Sequence, residues 1–242
     1  MCKALFSALK TLLPCVPPTF YCAGFNYLAH IEWGNKRKGT NTKPPEKADI
    51  GYRSNNALVA NGENIVIPAD SPGPVQFEGE LVAVIGKTAR NMTEANALDC
   101  VLGYTLGNDV SERTWQKEDR TLWRSKNCDS FKPMGPWIET EIPEPDDLHV
   151  TIRLNGREVY TYDVGDAIFS IRHFISRMSQ YVTIQPGDVL WMGTDGPTEN
   201  MKDGDKFPPI TVHHDGSSYW LSSGFHRYFA TKKLGHASIE CE

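Results

Sequence analysis

The stretch Phe77-Glu78-Gly79-Glu80-Leu81-Val82-Ala83-Val84-Ile85-Gly86 predicts a buried β-strand that begins at two glutamates. Side chains alternate between the faces of a strand, so Glu78 and Glu80 lie on the face that continues through Val82 and Val84. Both faces are apolar beyond the acids, which is typical of a strand in the protein interior. Two like charges there repel each other and lose hydration unless a cation, such as a hard divalent metal, neutralises them. The alternative is that the strand emerges into solvent at Glu78 and both acids are hydrated.

A third acid follows at the end of the next predicted strand. The segment from Thr93 to Gly103 predicts a short helix, with Thr93 as its N-cap and Gly103 at its left-handed C-terminal position. Residues 104–110 then predict a strand that ends in Asp109. Asp109 is therefore a candidate third ligand.

Candidate anion-binding residues come after this acid. If the chain turns helical there, Arg113 and Gln116 follow Asp109 at offsets of four and seven on one face. A guanidinium and an amide beside an aspartate can hold an oxyacid next to a metal. The alternative is a surface Asp–Arg pair of negligible energy. Lys126, in the strand-like segment 124–137, is a second candidate for binding an anion.

These motifs continue in a fixed order along the chain. The series is Glu78-x-Glu80-Leu81, Gly103-Tyr104-Thr105, Asn108-Asp109-Val110, Arg113, Gln116, Lys126, Asp129, Pro133-x-Gly135-Pro136, Pro186-Gly187-Asp188-Val189 and Gly193-Thr194. In order and approximate spacing it closely resembles the catalytic domain of the fumarylacetoacetate hydrolase superfamily, over roughly residues 18–212.

The resemblance implies a metal site with Glu78, Glu80 and Asp109 as ligands of Mg2+ or Mn2+. Carboxylate oxygens are the ligands that such hard cations prefer. A 2-oxo acid or 1,3-dicarbonyl substrate would complete the shell, and the metal would stabilise an enolate. C–C cleavage, decarboxylation and tautomerisation all pass through such an enolate.

The resemblance also implies which residues hold the substrate. Lys126, Arg113 and Gln116 would orient it, and Thr194 with the backbone of Gly193 would hold its carboxylate end.

The chain departs from the family at the N-terminal motif Asn26-Tyr27-Leu28-Ala29-His30-Ile31-Glu32-Trp33. Family members typically carry a glutamate three residues after the histidine, and this His/Glu dyad on a mobile lid activates the hydrolytic water. Here that position is Trp33, and Glu32 would point about 100° away on a helix. We place His30 in the catalytic set, and Tyr27 and Trp33 among the substrate-binding residues.

Three functions compete on this basis. The first is a Mg2+-dependent lyase or tautomerase acting on a 2-oxo acid or β-dicarbonyl of central or specialised metabolism, since these reactions need no activated water. The second is a C–C hydrolase of acylpyruvate or fumarylacetoacetate type, in which Glu32 or another lid residue replaces the missing partner. The third is a non-catalytic member that binds metal and ligand.

The basic segment from Gly34 to Lys47 predicts a solvated loop that can close over an anionic substrate. The whole chain carries a net charge of −5 and no nucleic-acid motif, so we expect no nucleic-acid partner.

The remaining patterns indicate an α+β, β-rich fold: a mixed β-sandwich or roll of the fumarylacetoacetate hydrolase type with few covering helices. Residues 163–178 predict an amphipathic helix with His173 on its exposed side. Asn155-Gly156 predicts a hairpin, and Asp215-Gly216 a second one. We expect an N-terminal extension over residues 1–17, one catalytic domain over 18–221 and a C-terminal tail over 222–242.

Cysteine usage and hydropathy bear on the compartment. The six cysteines form no Cys-x-x-Cys pair, which favours reduced, intracellular thiols. The first twenty residues are interrupted by Lys10 and Pro14 and predict neither a membrane span nor a signal peptide. We therefore expect a cytoplasmic protein with a small-molecule substrate and no membrane partner, and, by the habit of the family, a homodimer.

Overall fold

A mixed seven-stranded sheet forms the centre of the computed structural model, which describes residues 13–206 and the backbone of residues 211–214. In spatial order its strands are β2 (Ile50–Tyr52), β1 (Phe20–Ala23), β11 (Val189–Trp191), β5 (Gly79–Ile85), β6 (Val101–Asn108), β8 (Lys132–Glu139) and β3 (Leu58–Ala60). Strand β5 is the middle strand and pairs antiparallel with β11 and β6. The acid-bearing strand is thus the centre of the sheet, as its apolar faces require.

The two faces of β5 contribute to two different apolar clusters. Leu81, Ala83 and Ile85 pack in the larger cluster, which includes side chains of the covering helix and of the second sheet. Val82 and Val84 pack in a smaller cluster on the other face. The predicted alternation along this strand is therefore confirmed.

A smaller sheet lies beside the first. It consists of β10 (Arg157–Asp163), β9 (Leu148–Leu154) and β12 (Thr211–His214), in that order. Asn155 and Gly156, at φ 53° and 76°, make the turn between β9 and β10, so the predicted hairpin is confirmed. A short antiparallel pair joins β4 (Val75–Gln76) to β7 (Ser111–Glu112). The predicted hairpin at Asp215-Gly216 and the tail 222–242 lie outside the described residues.

Two α-helices are present in the described part of the chain. Helix α1 spans Leu28–Lys38 and ends at Gly39, whose φ of 65° is left-handed. Residues 34–38, predicted as loop, therefore belong to a helix, and only residues 40–47 lack regular structure. The basic side chains of its last turn suit the negative end of the helix dipole, which favours this extension.

Helix α2 spans Ile171–Ser179 and covers the sheet with an apolar face. The helix was predicted to begin at residue 163, but the Ser170 hydroxyl accepts a hydrogen bond from the His173 N–H and starts it later. His173 lies on the outer side, as predicted, and its Nδ1 is 2.9 Å from Glu94 Oε1.

The helix predicted over residues 93–103 is shorter and of a different type. Glu94–Cys100 form a 3-10 helix, and β6 begins at Val101. Gly103 lies within β6 rather than at a helix end. A Cβ at this position would lie 2.3 Å from the carbonyl oxygen of Glu139 on β8, so the close approach of the two strands requires glycine. Close strand packing, not helix termination, explains this glycine.

None of the helices described in residues 13–206 has the length and apolar character needed to cross a membrane.

Candidate metal and substrate site

The antiparallel register of β5 and β6 brings the three predicted acids together. Gly79 is opposite Asn108, and the Asp109 N–H donates to the carbonyl oxygen of Glu78 at 2.8 Å. Glu78, Glu80 and Asp109 are 5%, 3% and 2% exposed, so the alternative of hydrated acids is wrong. One carboxylate oxygen from each lies within 4.8 Å of the others.

Two of the acids, Glu78 and Asp109, form ion pairs with the predicted anion-binding residues Lys126 and Arg113. Lys126 Nζ lies 2.6 Å from Glu78 Oε2 and 2.7 Å from Asp109 Oδ2, and it therefore bridges the two carboxylates. Arg113 Nη2 lies 2.6 Å from Glu78 Oε1. Burial alone would raise the pKa of Glu78, but Arg113 and Lys126 outweigh it and lower this pKa to about 2. Glu78 is therefore ionised at neutral pH.

Two further basic residues contact Asp109 and were not predicted. Arg53 Nη2 lies 3.0 Å from Asp109 Oδ2, and Lys132 Nζ lies 2.7 Å from Asp109 Oδ1. Burial opposes ionisation of Asp109, yet Arg53, Lys126 and Lys132 hold its pKa well below the ordinary value. The only sequence signal for Lys132 was that it is a charged residue at the start of an apolar strand. Arg53 had no such signal, because it is 56 residues from its partner.

Glu80 differs from the other two acids. Its Oε2 accepts a hydrogen bond from the Gly193 N–H at 2.9 Å, and it forms no ion pair with any residue in the described ranges. Gly193 has a φ of 85°, a conformation that favours glycine. Burial, followed by the charges of Asp109 and Glu78, raises the pKa of Glu80 to about 8.

The donor set fits a hard divalent cation. All three groups are carboxylic acids, and Glu80 is a buried acid whose ionised form has no ion-pair partner within the described residues. The ion pairs above already neutralise Glu78 and Asp109. The charge argument for a metal therefore rests on Glu80.

A ligated divalent cation would leave this site with an excess of positive charge. Four basic side chains contact two of the three acids, namely Arg53, Arg113, Lys126 and Lys132. Positive charge of this kind attracts an anionic ligand.

Arg113 is held in place through all of its nitrogen positions. Its Nε donates to Gln76 Oε1 at 2.8 Å and its Nη1 to Gln116 Oε1 at 2.9 Å, while Nη2 binds Glu78. The helix predicted after Asp109 is not present: β7 continues the chain in extended form because it pairs with β4, and only Trp115–Lys117 form a 3-10 turn. Arg113 thus contacts Glu78 rather than Asp109, and Gln76 is a further member of the site that the sequence did not indicate.

Lys126 also reaches the site from an unpredicted conformation. Residues 120–130 form a series of turns, and the strand begins only at Lys132. The Asp119 carboxylate stabilises these turns by accepting a hydrogen bond from the Ser125 N–H at 2.6 Å. The turns place Lys126 between two of the acids, where it is 6% exposed.

Helix α1 forms the opposite wall of a cleft of about 580 Å3 above the acids. His30 Nδ1 lies 3.0 Å from the carbonyl oxygen of Gly196, and the ring of Trp33 lies 5.6 Å from the ring of His30. Burial lowers the pKa of His30, which favours the neutral imidazole. Glu32 is exposed and does not line the cleft.

The structure brings most of the predicted residues to this cleft. Its lining includes His30, Trp33, Glu78, Glu80, Asp109, Arg113, Gln116, Lys126 and Thr194. It also includes residues that were not predicted as site residues: Phe25, Arg37, Lys38, Arg53, Gln76 and Lys117.

Tyr27 is the exception among the predicted substrate-binding residues. It is 1% exposed, its ring packs edge-on against Tyr162 at 5.1 Å, and it is not part of the cleft lining. It lies in the core because it bridges to Ala167 just before α1 begins. Thr194 does line the cleft, and its hydroxyl is 2.6 Å from the Tyr160 hydroxyl.

Comparison with known proteins identifies the family of this chain. The family described as fumarylacetoacetate (FAA) hydrolase C-terminal matches residues 19–216. The 2,4-didehydro-3-deoxy-L-rhamnonate hydrolase of Sphingomonas sp. (strain SKA58) is 37% identical over 175 residues, which cover 71% of this chain and 59% of the relative. The mitochondrial oxaloacetate tautomerase Fahd2a of Rattus norvegicus is 32% identical over 181 residues, which cover 74% of this chain and 56% of the relative. The chain thus spans less than two thirds of these two relatives.

A solved structure matches over a larger share. The 5-carboxymethyl-2-hydroxymuconate delta-isomerase from Mycobacterium smegmatis superposes with a TM-score of 0.74 at 33% identity, covering 87% of this chain and 80% of the other. The predicted β-rich α+β fold of this type is therefore confirmed.

Proposed function

The chain belongs to the fumarylacetoacetate hydrolase family, and from this premise we propose that it is a metal-dependent tautomerase or lyase acting on a 2-oxo acid or β-dicarbonyl. One observation carries the choice among the reactions of the family. His30 lines the cleft, but Trp33 is at the position of its usual carboxylate partner, and the exposed Glu32 does not replace it. Hydrolysis depends on a water activated by that pair, whereas moving a proton on the substrate does not.

The metal would be held by Glu78, Glu80 and Asp109. Mg2+ or Mn2+ bound there supplies Lewis-acid stabilisation of the negative charge that develops on an enolate oxygen.

The chain's own residues bind and orient the substrate. Lys126 and Arg113 present positive charge beside the acids, and Gln116 fixes the plane of the Arg113 guanidinium through its 2.9 Å hydrogen bond. A planar, fixed guanidinium is suited to a carboxylate or enolate oxygen. The ring of Trp33 lines the cleft beside His30, where it can stack on a flat, unsaturated substrate.

His30 is the proposed proton carrier. The carbonyl oxygen of Gly196 can only accept a hydrogen bond, so Nδ1 carries the proton and Nε2 is left with a free lone pair. The lowered pKa keeps the ring neutral near pH 7. His30 Nε2 can therefore take a proton from the carbon next to the substrate carbonyl and return it to the enolate oxygen, which is general acid–base catalysis of keto–enol tautomerisation.

The substitution Trp33→Glu tests the choice of reaction. The wild type should interconvert the keto and enol forms of oxaloacetate, or decarboxylate it, with Mg2+ and not with EDTA, and should hydrolyse an acylpyruvate poorly. Trp33→Glu should gain acylpyruvate hydrolysis by giving His30 a carboxylate partner, whereas the uncharged control Trp33→Gln should not. His30→Gln should lower the native rate by about a hundredfold or more.

Two results would redirect the proposal. Efficient, EDTA-sensitive acylpyruvate hydrolysis by the wild type would make the chain a C–C hydrolase, despite Trp33. Inactivity on every substrate together with tight Mg2+ binding would favour a non-catalytic binding protein.

A further inference from the structure

A second group of basic side chains lies at the cleft, apart from those that contact the acids. Arg37 and Lys38 come from the last turn of helix α1, and Lys117 ends the 3-10 turn that follows β7. All three line the same cleft as the acids and His30. None of them forms an ion pair with any residue in the described part of the chain.

Helix α1 connects this group to the proposed reaction centre. His30, Trp33 and Arg37 follow one another at offsets of three and four, so they lie along one face of the helix. The Arg37 guanidinium lies 5.2 Å from the centroid of the Trp33 ring, which restrains it by a cation–π contact. The face thus runs from a neutral imidazole, past an aromatic ring, to a cation.

These cations repel one another. Lys38 is exposed in the cleft lining, where partial desolvation and then the charges of Arg113, Arg37 and Lys117 lower its pKa. The basic segment from Gly34 to Lys47 supplies Arg37 and Lys38, but Lys117 lies outside it. Like charges gathered without an acidic partner in the described residues are stabilised when an anion binds between them.

The helix dipole offers a simpler explanation for part of the group. It favours any cation in the last turn of α1, and Lys36 is in that turn as well. Lys36, however, does not line the cleft, and Lys117 belongs to a different element. The dipole therefore explains Lys36 but not why two separate elements direct cations into one cleft.

We propose that Arg37, Lys38 and Lys117 form a second anion subsite that selects 2-oxo acids with a second carboxylate at the end remote from the metal-binding acids. This inference rests on the function proposed above, since it assumes that the 2-oxo acid end of the substrate is held at the metal site formed by Glu78, Glu80 and Asp109. The flat ring of Trp33 between the two subsites would contact the carbon chain that joins the two carboxylates.

Calorimetry with a matched pair of ligands tests the proposal on the Mg2+-loaded protein. 2-Oxoadipate and 2-oxohexanoate have the same chain length and the same 2-oxo acid end, and they differ in the second carboxylate. The wild type should bind 2-oxoadipate about five- to tenfold more tightly, and this preference should shrink as salt is added. The double variant K38A/K117A should lose the preference and keep its affinity for 2-oxohexanoate.

Lys36→Ala is the matched control, because it removes a cation from the same helical turn outside the cleft. It should retain the wild-type preference. Unchanged affinity for 2-oxohexanoate in the double variant shows that the fold and the metal site are intact.

The outcomes separate this inference from the function on which it rests. Equal affinity of the wild type for both ligands, or an equal loss of preference in Lys36→Ala, would overturn the second subsite and leave the proposed function standing. Failure of both 2-oxo acids to bind the Mg2+-loaded wild type would overturn both.

Discussion

Replacing Glu80 by glutamine should stabilise the metal-free protein and abolish metal binding. Glu80 is 3% exposed, and within the described residues its partner is the Gly193 N–H, a hydrogen bond that glutamine can keep through its own carbonyl oxygen. The substitution therefore changes the charge of the side chain and very little of its shape.

The size and pH dependence of the effect follow from the pKa of Glu80. Burial raises this pKa from its ordinary value of 4.5 to about 8. Between these values the folded protein keeps a proton that the unfolded chain has released, so the free energy of unfolding falls as the pH rises through this window. Each pKa unit corresponds to about 1.4 kcal/mol. After relaxation of the neighbouring side chains we expect a loss of about 2–4 kcal/mol by pH 8.5.

Glutamine does not titrate, so Glu80→Gln avoids this loss. In EDTA the variant should match the wild type near pH 5, where Glu80 is protonated, and exceed its stability by about 2–4 kcal/mol near pH 8.5. Urea denaturation at the two pH values measures this difference. The control Glu32→Gln changes an exposed acid outside the cleft and should show no such dependence.

Magnesium should offset this difference, because only the wild type binds it. At a concentration one hundred times the dissociation constant, Mg2+ stabilises a protein that binds it by about 2.7 kcal/mol. The wild type should gain this amount, and it should release protons on binding near pH 7 because Glu80 must ionise. The reasoning is refuted if the two proteins differ equally at both pH values, or if Mg2+ stabilises them equally.

Two further substitutions test other parts of the structure. Gly107→Val should destabilise the protein by several kcal/mol in a thermal denaturation experiment, because even a Cβ at this position would lie 2.3 Å from the Trp191 ring; a normal melting temperature would show that this packing is wrong. Arg113→Ala should weaken 2-oxo acid binding about a hundredfold by calorimetry, because a charge-assisted contact in a buried site is lost. Unchanged affinity in that variant would remove Arg113 from the substrate site.

Features that depend on local periodicity and on motifs could be predicted from the sequence. Alternation along residues 77–86 predicted both the buried strand and the common side of Glu78 and Glu80, and Asn155-Gly156 predicted a hairpin because both positions must adopt positive φ. The acids, Arg113 and Lys126 were found because they occur in an ordered series that resembles one family. These signals are readable because each depends on neighbouring residues alone or on a shared order of motifs.

Which charges form ion pairs depends on the tertiary structure. Arg53 and Lys132 reach Asp109 through the packing of segments that are distant in sequence, and Arg113 binds Glu78 because β7 is held extended by β4. The same packing leaves Glu80 without a cation in the described residues. Such pairings depend on strand register and on turns between remote segments, and the energy of a buried charge depends on every group around it. A local pattern can therefore identify an acid, but only the assembled fold determines whether that acid is neutralised or left to bind a metal.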